Sequence, residues 1–216
     1  MLLTACSKGP GSLSSKEGEI QYSIEYIEND LKKVSVDMLP RKMVTRYRSN
    51  GFEFDIEGFF GLFKITNTVV PRKDMNETRL SVLDKKFYFS GELNEPAIGF
   101  GSMPRPKFEY TDVTKDICGY TCYQVLARIP GEKEPLVIYY TKDIPIKRPN
   151  RTTPYKEIDG VLMEFYLQLH NIRMKLTATG VVEKEIPESA FSKIGTYRKA
   201  SKKYMEAMLF KLLDSE

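Results

Sequence analysis

Apolar and polar residues alternate along several stretches of the chain, which is the pattern of β-strands that bury one face. In the first stretch, residues 20, 22, 24 and 26 are apolar or aromatic and the residues between them are polar. Further stretches span residues 43–48, 52–56, 62–66, 78–83, 87–90, 123–129 and 136–141. We therefore predict a mainly antiparallel fold of about ten strands.

Two hairpins are indicated by short turn sequences between alternating stretches. Asn50-Gly51 is a strong hairpin signal because both residues tolerate positive φ. His170-Asn171 separates two long stretches whose apolar positions share one face: Val161, Met163, Phe165, Leu167, Leu169, Ile172, Met174, Leu176 and Ala178. The opposite face carries polar residues: Glu164, Gln168, Arg173, Lys175, Thr177 and Thr179. This part of the sheet should therefore have one apolar and one solvated face.

The segment from residue 92 to 110 interrupts this pattern. It contains three prolines and two glycines among the apolar residues Ala97, Ile98, Phe100 and Met103. A long loop without regular structure is often functional, and the apolar content argues against plain disorder. Two interpretations stay open: a flap that packs onto the sheet, or a mobile gate.

A helical stripe marks the end of the chain. Apolar and aromatic residues recur every three or four positions there, at Tyr197, Ala200, Tyr204, Met208 and Leu212. Basic residues cluster at positions 198, 199, 202 and 203, which permits a helix on a membrane surface. We favour a helix that docks on its own sheet and keeps its lysines solvated.

The start of the chain has the features of a lipidation signal. Leu3-Thr4-Ala5-Cys6 places small residues before a cysteine, as in a lipobox, and residues 7–16 are poor enough in apolar residues to form a flexible tether. Only five residues precede Cys6, fewer than the apolar run of a complete signal peptide. The alternative is a chance cysteine near the start of a cytosolic protein.

We accordingly divide the chain into three parts. Residues 1–5 are the remnant of a signal peptide, residues 6–17 are the lipidated Cys6 and its tether, and residues 18–216 form a single domain. No stretch approaches the roughly 20 apolar residues of a membrane-spanning helix, so attachment would depend on Cys6. Ser7 is compatible with release from the inner membrane, so we predict a location at the outer membrane, facing the periplasm.

Composition adds limits on partners. The 216 residues are 41% hydrophobic and 29% charged, which is ordinary for a globular domain. The formal net charge of +4 is too small to indicate nucleic acid as a partner. Thirteen tyrosines and twelve phenylalanines favour strands.

Cys118 and Cys122 form a CxxxC pair without a second pair, and His170 is distant in the sequence, so neither a metal nor another cofactor is expected. In an oxidising periplasm the two cysteines would close a small disulfide across Gly119. The alternative is two reduced thiols on opposite sides of a bend.

No catalytic residue is apparent. A single histidine in a two-residue turn is a poor base, and we expect His170 to face solvent. Gly99-Phe100-Gly101 lacks the setting of a phosphate loop. Asn76-Glu77-Thr78 and Asn150-Arg151-Thr152 fit the glycosylation pattern, which has little meaning in a bacterial lipoprotein. We predict that the protein is not an enzyme.

Five short segments resemble a family of small bacterial envelope lipoproteins of unknown function, whose fold is similar to that of the lipoprotein carriers LolA and LolB. The segments are residues 39–43, residues 117–122 followed by 139–144, residues 160–164 and residues 186–188. The resemblance implies an α+β, mainly antiparallel β fold: a sheet curved into a half-barrel, with helices across its mouth and a C-terminal amphipathic helix. It also implies an apolar interior that holds acyl chains.

The expected function is the binding of a lipid or another apolar ligand inside this half-barrel. Flexible methionines and a glycine-rich apolar loop favour a cavity. The candidate ligand-binding residues are Met163, Phe165, Leu167, Met174, Leu176, Ile98 and Phe100. The alternative is a non-catalytic structural or protein-interaction lipoprotein whose core is filled, because a packed core and a lined cavity use the same residue types.

Overall fold

The computed structural model describes residues 16–29, 39–58, 61, 63–191 and 195–213. Cys6, most of the predicted tether and the connection at residues 30–38 lie outside these residues. The described part contains twelve strands: β1 (Gly18–Asn29), β2 (Lys42–Arg48), β3 (Gly51–Gly58), β4 (Phe63–Val70), β5 (Met75–Val82), β6 (Lys85–Gly91), β7 (Lys107–Ile117), β8 (Tyr120–Arg128), β9 (Leu136–Thr141), β10 (Val161–Leu169), β11 (Ile172–Glu183) and β12 (Arg198–Lys199).

The strands form one sheet from two antiparallel meanders. Strands β1 to β6 lie side by side in chain order, and β7 to β11 form the second meander. Antiparallel pairing of β1 with β11 joins the two, with Gly18 opposite Glu183 and Ile24 opposite Leu176. The short strand β12 pairs parallel to β6, so the sheet is mixed and its order is β12-β6-β5-β4-β3-β2-β1-β11-β10-β9-β8-β7.

The prediction of an α+β half-barrel with helices across its mouth is wrong. The sheet of twelve strands is not closed, and the described residues contain a single α-helix, α1 (Lys202–Leu213), beside three short 3-10 turns. Alternation identifies a strand and its buried face. Curvature and closure depend on twist and bulges, which alternation does not encode.

The sequence prediction does not contain strand β7, since it places residues 107–110 in the long loop and gives residues 111–117 no strand. β7 lies at the edge of the sheet, and most of its side chains are exposed. A strand that buries neither face has no reason to alternate, so the hydrophobic pattern carries no signal for it.

Both predicted hairpins are present. Leu169 lies opposite Ile172, so His170 and Asn171 form the turn, and His170 has a φ of 56°. In the other hairpin Arg48 lies opposite Gly51. The turn residues are therefore Ser49 and Asn50, one position earlier than predicted.

The segment between β6 and β7 packs as a flap. Its apolar residues Ala97, Ile98, Phe100 and Met103 are buried, and the Phe100 ring stacks on Phe54 with centroids 5.4 Å apart. The structure therefore supports the packed flap and not the mobile gate.

Helix α1 docks on the core with a different face from the predicted one. Its buried residues are Met205, Leu209 and Leu213, each one position after the predicted Tyr204, Met208 and Leu212. Tyr204 is half exposed and packs edge-on against Phe87 at the margin of the sheet, with ring centroids 5.3 Å apart. The spacing therefore indicated the helix, and the neighbouring elements decided which stripe is covered.

Candidate functional site

The seven residues predicted to hold an apolar ligand lie together in the main core. All of them are buried: Met163, Phe165, Leu167, Met174, Leu176, Ile98 and Phe100. Phe165 packs edge-on against Tyr22, with ring centroids 5.7 Å apart. The structure thus places the predicted residues on one continuous apolar face.

A cavity of about 50 Å³ lies beside this face, and Phe100, Phe165 and Leu167 contribute to its lining. This volume is enough for a few water molecules. It is far below the roughly 300–1,000 Å³ of pockets that hold organic ligands. In the described structure the apolar side chains fill the interior themselves.

A buried amide network connects the flap to the loop before β10. The Asn67 amide nitrogen donates to Asn76 Oδ1 at 2.9 Å, and the Thr152 hydroxyl donates to Asn67 Oδ1 at 2.9 Å. Asn76 in turn donates to the carbonyls of Glu92 and Glu95 in the flap, at 2.7 and 2.9 Å. The network therefore fixes two loops that the sequence leaves without regular structure.

Asn150 fixes the loop before β10 from inside. Its buried amide nitrogen donates to the carbonyls of Ile158 and Gly160, at 2.8 and 2.9 Å, and its own carbonyl accepts from the Thr153 backbone at 2.9 Å. Asn76 and Asn150, the acceptors of the two glycosylation-like motifs, are both buried. These asparagines are structural residues.

A second, larger opening lies next to the small cavity, and we name it the basic cleft. It has a volume of about 480 Å³ and shares Phe52 and Ile146 with the small cavity. Asp159 is the one acidic residue of its lining. Five basic residues line it: Arg48, Arg72, Lys147, Arg148 and Arg151.

Arg151 is the most unusual of these residues, because its side chain is buried without an acidic partner. It is 6% exposed, and its Nε donates to the Arg148 carbonyl at 3.4 Å. Burial, followed by the nearby Arg148 charge, holds the pKa of the Arg151 guanidinium below its usual value. Among the residues that the structure describes, no carboxylate lies within ion-pair distance of Arg151.

Sequence reasoning missed the basic cleft. Its signal was the density of basic residues between positions 142 and 151, where Lys142, Lys147, Arg148 and Arg151 occur within ten residues. Arg48 is the last residue of β2 and Arg72 lies in the short 3-10 turn after β4, both far away in the chain. Only folding brings them to the same opening.

The face of β1 to β5 opposite the core carries a dense set of ion pairs, which we name the ionic cluster: Glu19, Arg46, Glu53, Asp55, Lys64, Glu77 and Arg79. Arg46 Nη1 lies 2.5 Å from Asp55 Oδ2, and Arg79 Nη2 lies 2.5 Å from Glu53 Oε2. Lys64 Nζ lies 3.3 Å from Asp55. These contacts neutralise the buried carboxylates of this face.

Two carboxylates of the ionic cluster, Asp55 and Glu77, have pKa values that are shifted in opposite directions. Burial acts to raise the pKa of Asp55, but hydrogen bonds from Thr66 and Arg46 and the charge of Lys64 bring that pKa below its usual value. The pKa of Glu77 is raised, mainly by burial. Neither carboxylate lines the basic cleft or the small cavity.

Glu164, predicted to face solvent, is also buried among charges. Its carboxylate oxygens lie 3.0 Å from Lys115 Nζ and 3.2 Å from Lys175 Nζ. Lysines of β7 and β11 cover it, which the alternation within β10 alone does not reveal.

Cys118 and Cys122 are free thiols in the structure. Cys118 and Gly119 form the turn between β7 and β8, with φ of 55° and 79°. Cys118 Sγ donates to the Ala178 carbonyl at 3.4 Å, and Cys122 Sγ donates to the Tyr120 carbonyl at 3.3 Å. Burial raises the pKa of the Cys122 thiol to about 12. The disulfide stays a prediction for protein taken from the periplasm.

His170 is half buried and stacks on Phe210 of α1, with ring centroids 4.7 Å apart. It was expected to face solvent, and the docked helix accounts for the difference. Within the described residues, no group of three or more His, Cys, Asp or Glu side chains is arranged to hold a metal ion. The same residues contain no helix with the length and apolar character needed to cross a membrane.

No protein-family model matches this chain, and no curated protein matches it. Two solved structures of PNGF-II are similar in fold. The structure in space group C2 has a TM-score of 0.58 at 13% sequence identity and covers 91% of this chain and 33% of that chain. The structure in space group P21 has a TM-score of 0.56 at 12% identity and covers 91% and 34%.

The chain thus spans about a third of the length of PNGF-II. At this identity the similarity concerns the fold alone. The resemblance to LolA and LolB stays a prediction from the sequence.

Proposed function

We propose that this chain is a lipid-anchored, non-catalytic protein of the bacterial outer membrane, with a filled domain that faces the periplasm and serves a structural or protein-interaction role. The observation that carries the proposal is the 50 Å³ cavity beside the predicted ligand-binding residues. A packed core of this kind leaves no room for an acyl chain.

The flap contributes to this argument because it is attached at several points. The Ala97 backbone donates to the Thr152 carbonyl at 2.9 Å, and Lys202 Nζ of α1 lies 2.9 Å from Glu95 Oε1. An alanine at Gly99, where φ is +85°, would place its Cβ 2.3 Å from a Leu169 methyl group. A ligand that entered under the flap would have to break these contacts together.

An apolar-ligand carrier is the second candidate function. Met163 and Met174 lie in the core, and unbranched methionine side chains adapt to a new neighbour at small cost. The two functions differ in what the purified protein contains.

Native mass spectrometry of protein purified from its own envelope tests the proposal. We expect the mass of the lipidated chain without any further non-covalently bound molecule. Phe165→Arg is expected to unfold the domain, because Phe165 is 4% exposed, whereas Tyr123→Arg at an exposed position should not. A lipid that co-purifies with the native chain and is absent from a folded Phe165→Arg chain would instead establish the carrier.

The anchor is tested by fractionation. Replacing Cys6 with Ala should move the protein from the membrane to the soluble fraction. Membrane association that persists in this variant would contradict lipidation at Cys6.

The predicted disulfide between Cys118 and Cys122 must be tested on denatured protein. Cys122 is fully buried and would escape alkylation in the native state even as a thiol. We expect Cys118 and Cys122 of periplasmic protein to resist alkylation in denaturant until a reductant is added. Alkylation of both without reduction would show that the disulfide does not form.

A further inference from the structure

The basic cleft holds more positive charge than its surroundings neutralise. Arg48 is partly compensated, since its Nε lies 3.9 Å from Glu17 Oε2 and its Nη1 donates to the Ile186 carbonyl at 3.0 Å. Across the described ranges, Arg72, Lys147, Arg148 and Arg151 form no ion pair. Asp159 alone opposes these four charges, so the cleft keeps a clear cationic surplus.

Arg151 indicates that this surplus is directed at a ligand. A buried charge without a partner is strongly unfavourable, which is why buried guanidinium groups normally have carboxylates beside them. Arg151 is more than nine-tenths buried and lines the cleft, yet its described hydrogen bonds use only Nε. The described hydrogen bonds therefore leave its two terminal nitrogens as donors for a ligand.

The loop that carries these residues is organised in advance. The buried Asn150 side chain holds two carbonyls of the same loop, and Thr152 joins it to Asn67 in β4. Arg148 has a φ of 49°, a conformation that non-glycine residues adopt rarely and mostly where the surroundings impose it. A fixed loop lowers the entropy that ligand binding would otherwise cost.

The charge and shape of the cleft identify the ligand class. Arginine forks match the oxygens of phosphate and carboxylate groups, and several uncompensated cations favour a dianion over a single carboxylate. A phosphate monoester carries a charge of about −1.5 to −2 at neutral pH. The 480 Å³ volume exceeds the size of the bare ion, and Phe52, Ile146 and Pro71 supply an apolar wall beside the cations.

We infer that the basic cleft binds a phosphate group, either free or as the ester of a larger molecule. This site is separate from the filled core, so it stands or falls independently of the proposed structural role. The apolar wall favours the ester, because an organic group attached to the phosphate would contact Phe52 and Ile146.

Titration calorimetry at constant low ionic strength tests the inference with two probes, inorganic phosphate and glycerol 3-phosphate. We expect a dissociation constant below about 1 mM for at least one of them. Tighter binding of glycerol 3-phosphate would identify an ester as the ligand, and tighter binding of inorganic phosphate would identify the free ion. Absence of binding by both probes up to about 10 mM would overturn the inference.

Two double variants with the same change in net charge separate a site from a general charge effect. Lys147→Ala with Arg148→Ala, both exposed positions of the cleft, should weaken binding at least about tenfold. Lys85→Ala with Lys86→Ala, exposed on β6 and outside the cleft, should change it less than about twofold. Equal losses in the two variants would overturn the inference.

Arg151→Lys tests whether the shape of the guanidinium group matters, because this substitution leaves the net charge of the protein unchanged. Lysine cannot reproduce the planar fork, so binding should weaken severalfold although the net charge is preserved. Circular dichroism establishes that each variant is folded before titration. Full binding by a folded Arg151→Lys chain together with full binding by the cleft double variant would exclude the site.

Discussion

Two groups of basic side chains on this sheet differ in how their charges are satisfied. In the ionic cluster, buried Arg79 lies 2.5 Å from Glu53 and 3.7 Å from Glu77. In the basic cleft, equally buried Arg151 has the Arg148 carbonyl as its described hydrogen-bond partner. The same residue type thus serves structure where carboxylates surround it and is left available for an anion where they do not.

The difference has its origin in where the residues sit. Residues of the ionic cluster belong to regular strands, and their partners follow from register: Arg46 lies opposite Glu53, and Thr66 lies opposite both Asp55 and Arg79. Apart from Arg48, which ends β2, the basic residues of the cleft lie in turns and loops. Pairing between strands therefore brings opposite charges together, whereas the basic side chains of the loops have no carboxylate placed beside them in this way.

The largest expected effect comes from the same substitution at the two buried arginines. Arg79→Met should lower the free energy of unfolding by about 3–5 kcal/mol, because it leaves buried carboxylates uncompensated. Arg151→Met should change it by less than about 1 kcal/mol or raise it, because no described carboxylate loses a partner. Urea denaturation of both variants measures the difference, and equal destabilisation would remove the distinction between the two regions.

The second prediction concerns Asp55, whose carboxylate contacts Arg46 and Lys64. Asp55→Asn should cost about 1.5–3 kcal/mol at neutral pH, because it removes the charge that these cations contact.

The pH dependence provides the control for this variant. The folded-state pKa of Asp55 lies below its ordinary 3.8, so its stabilisation is present above that value and is lost as the pH falls through the folded pKa. Native chain and Asp55→Asn should therefore converge in stability at low pH. A constant difference between them down to the acid limit would contradict this account.

A smaller effect is expected at Asn150, which holds the cleft loop. Asn150→Ala removes hydrogen bonds to the Ile158 and Gly160 carbonyls and should cost about 1–2 kcal/mol. Phosphate affinity should fall as well, since the loop loses its internal support. Unchanged affinity in a destabilised but folded variant would show that the loop does not need this support.

The smallest effect is expected at Glu77. Its raised pKa means that ionised Glu77 is less favourable in the folded than in the unfolded chain, and this penalty grows as the pH rises above the ordinary value of 4.5 and is complete above the folded pKa. Glu77→Gln should therefore raise the stability at pH 7, by less than about 1 kcal/mol. The gain should vanish below the ordinary pKa of 4.5, and thermal melts at the two pH values measure it.

Strands with one buried face were predictable, because a local alternation is sufficient to indicate them. β1 and the hairpin of β10 and β11 follow the predicted pattern, with Ile24 opposite Leu176. The seven candidate ligand-binding residues were correctly expected on an apolar face, but alternation does not distinguish a cavity from a packed core. Their packing became visible only with the flap and α1 in place.

The sequence by itself determined the strands that bury one face, which face of each is apolar and, to within one residue, where the two hairpins turn, because these properties depend on residues close together in the chain. Only the tertiary structure decided that the sheet stays open and which charges are neutralised. Glu53 and Arg79 are 26 residues apart, and Asn67 and Thr152 are 85 apart. Such contacts depend on the register and curvature of the whole sheet, so a free arginine and a paired one look the same in the sequence.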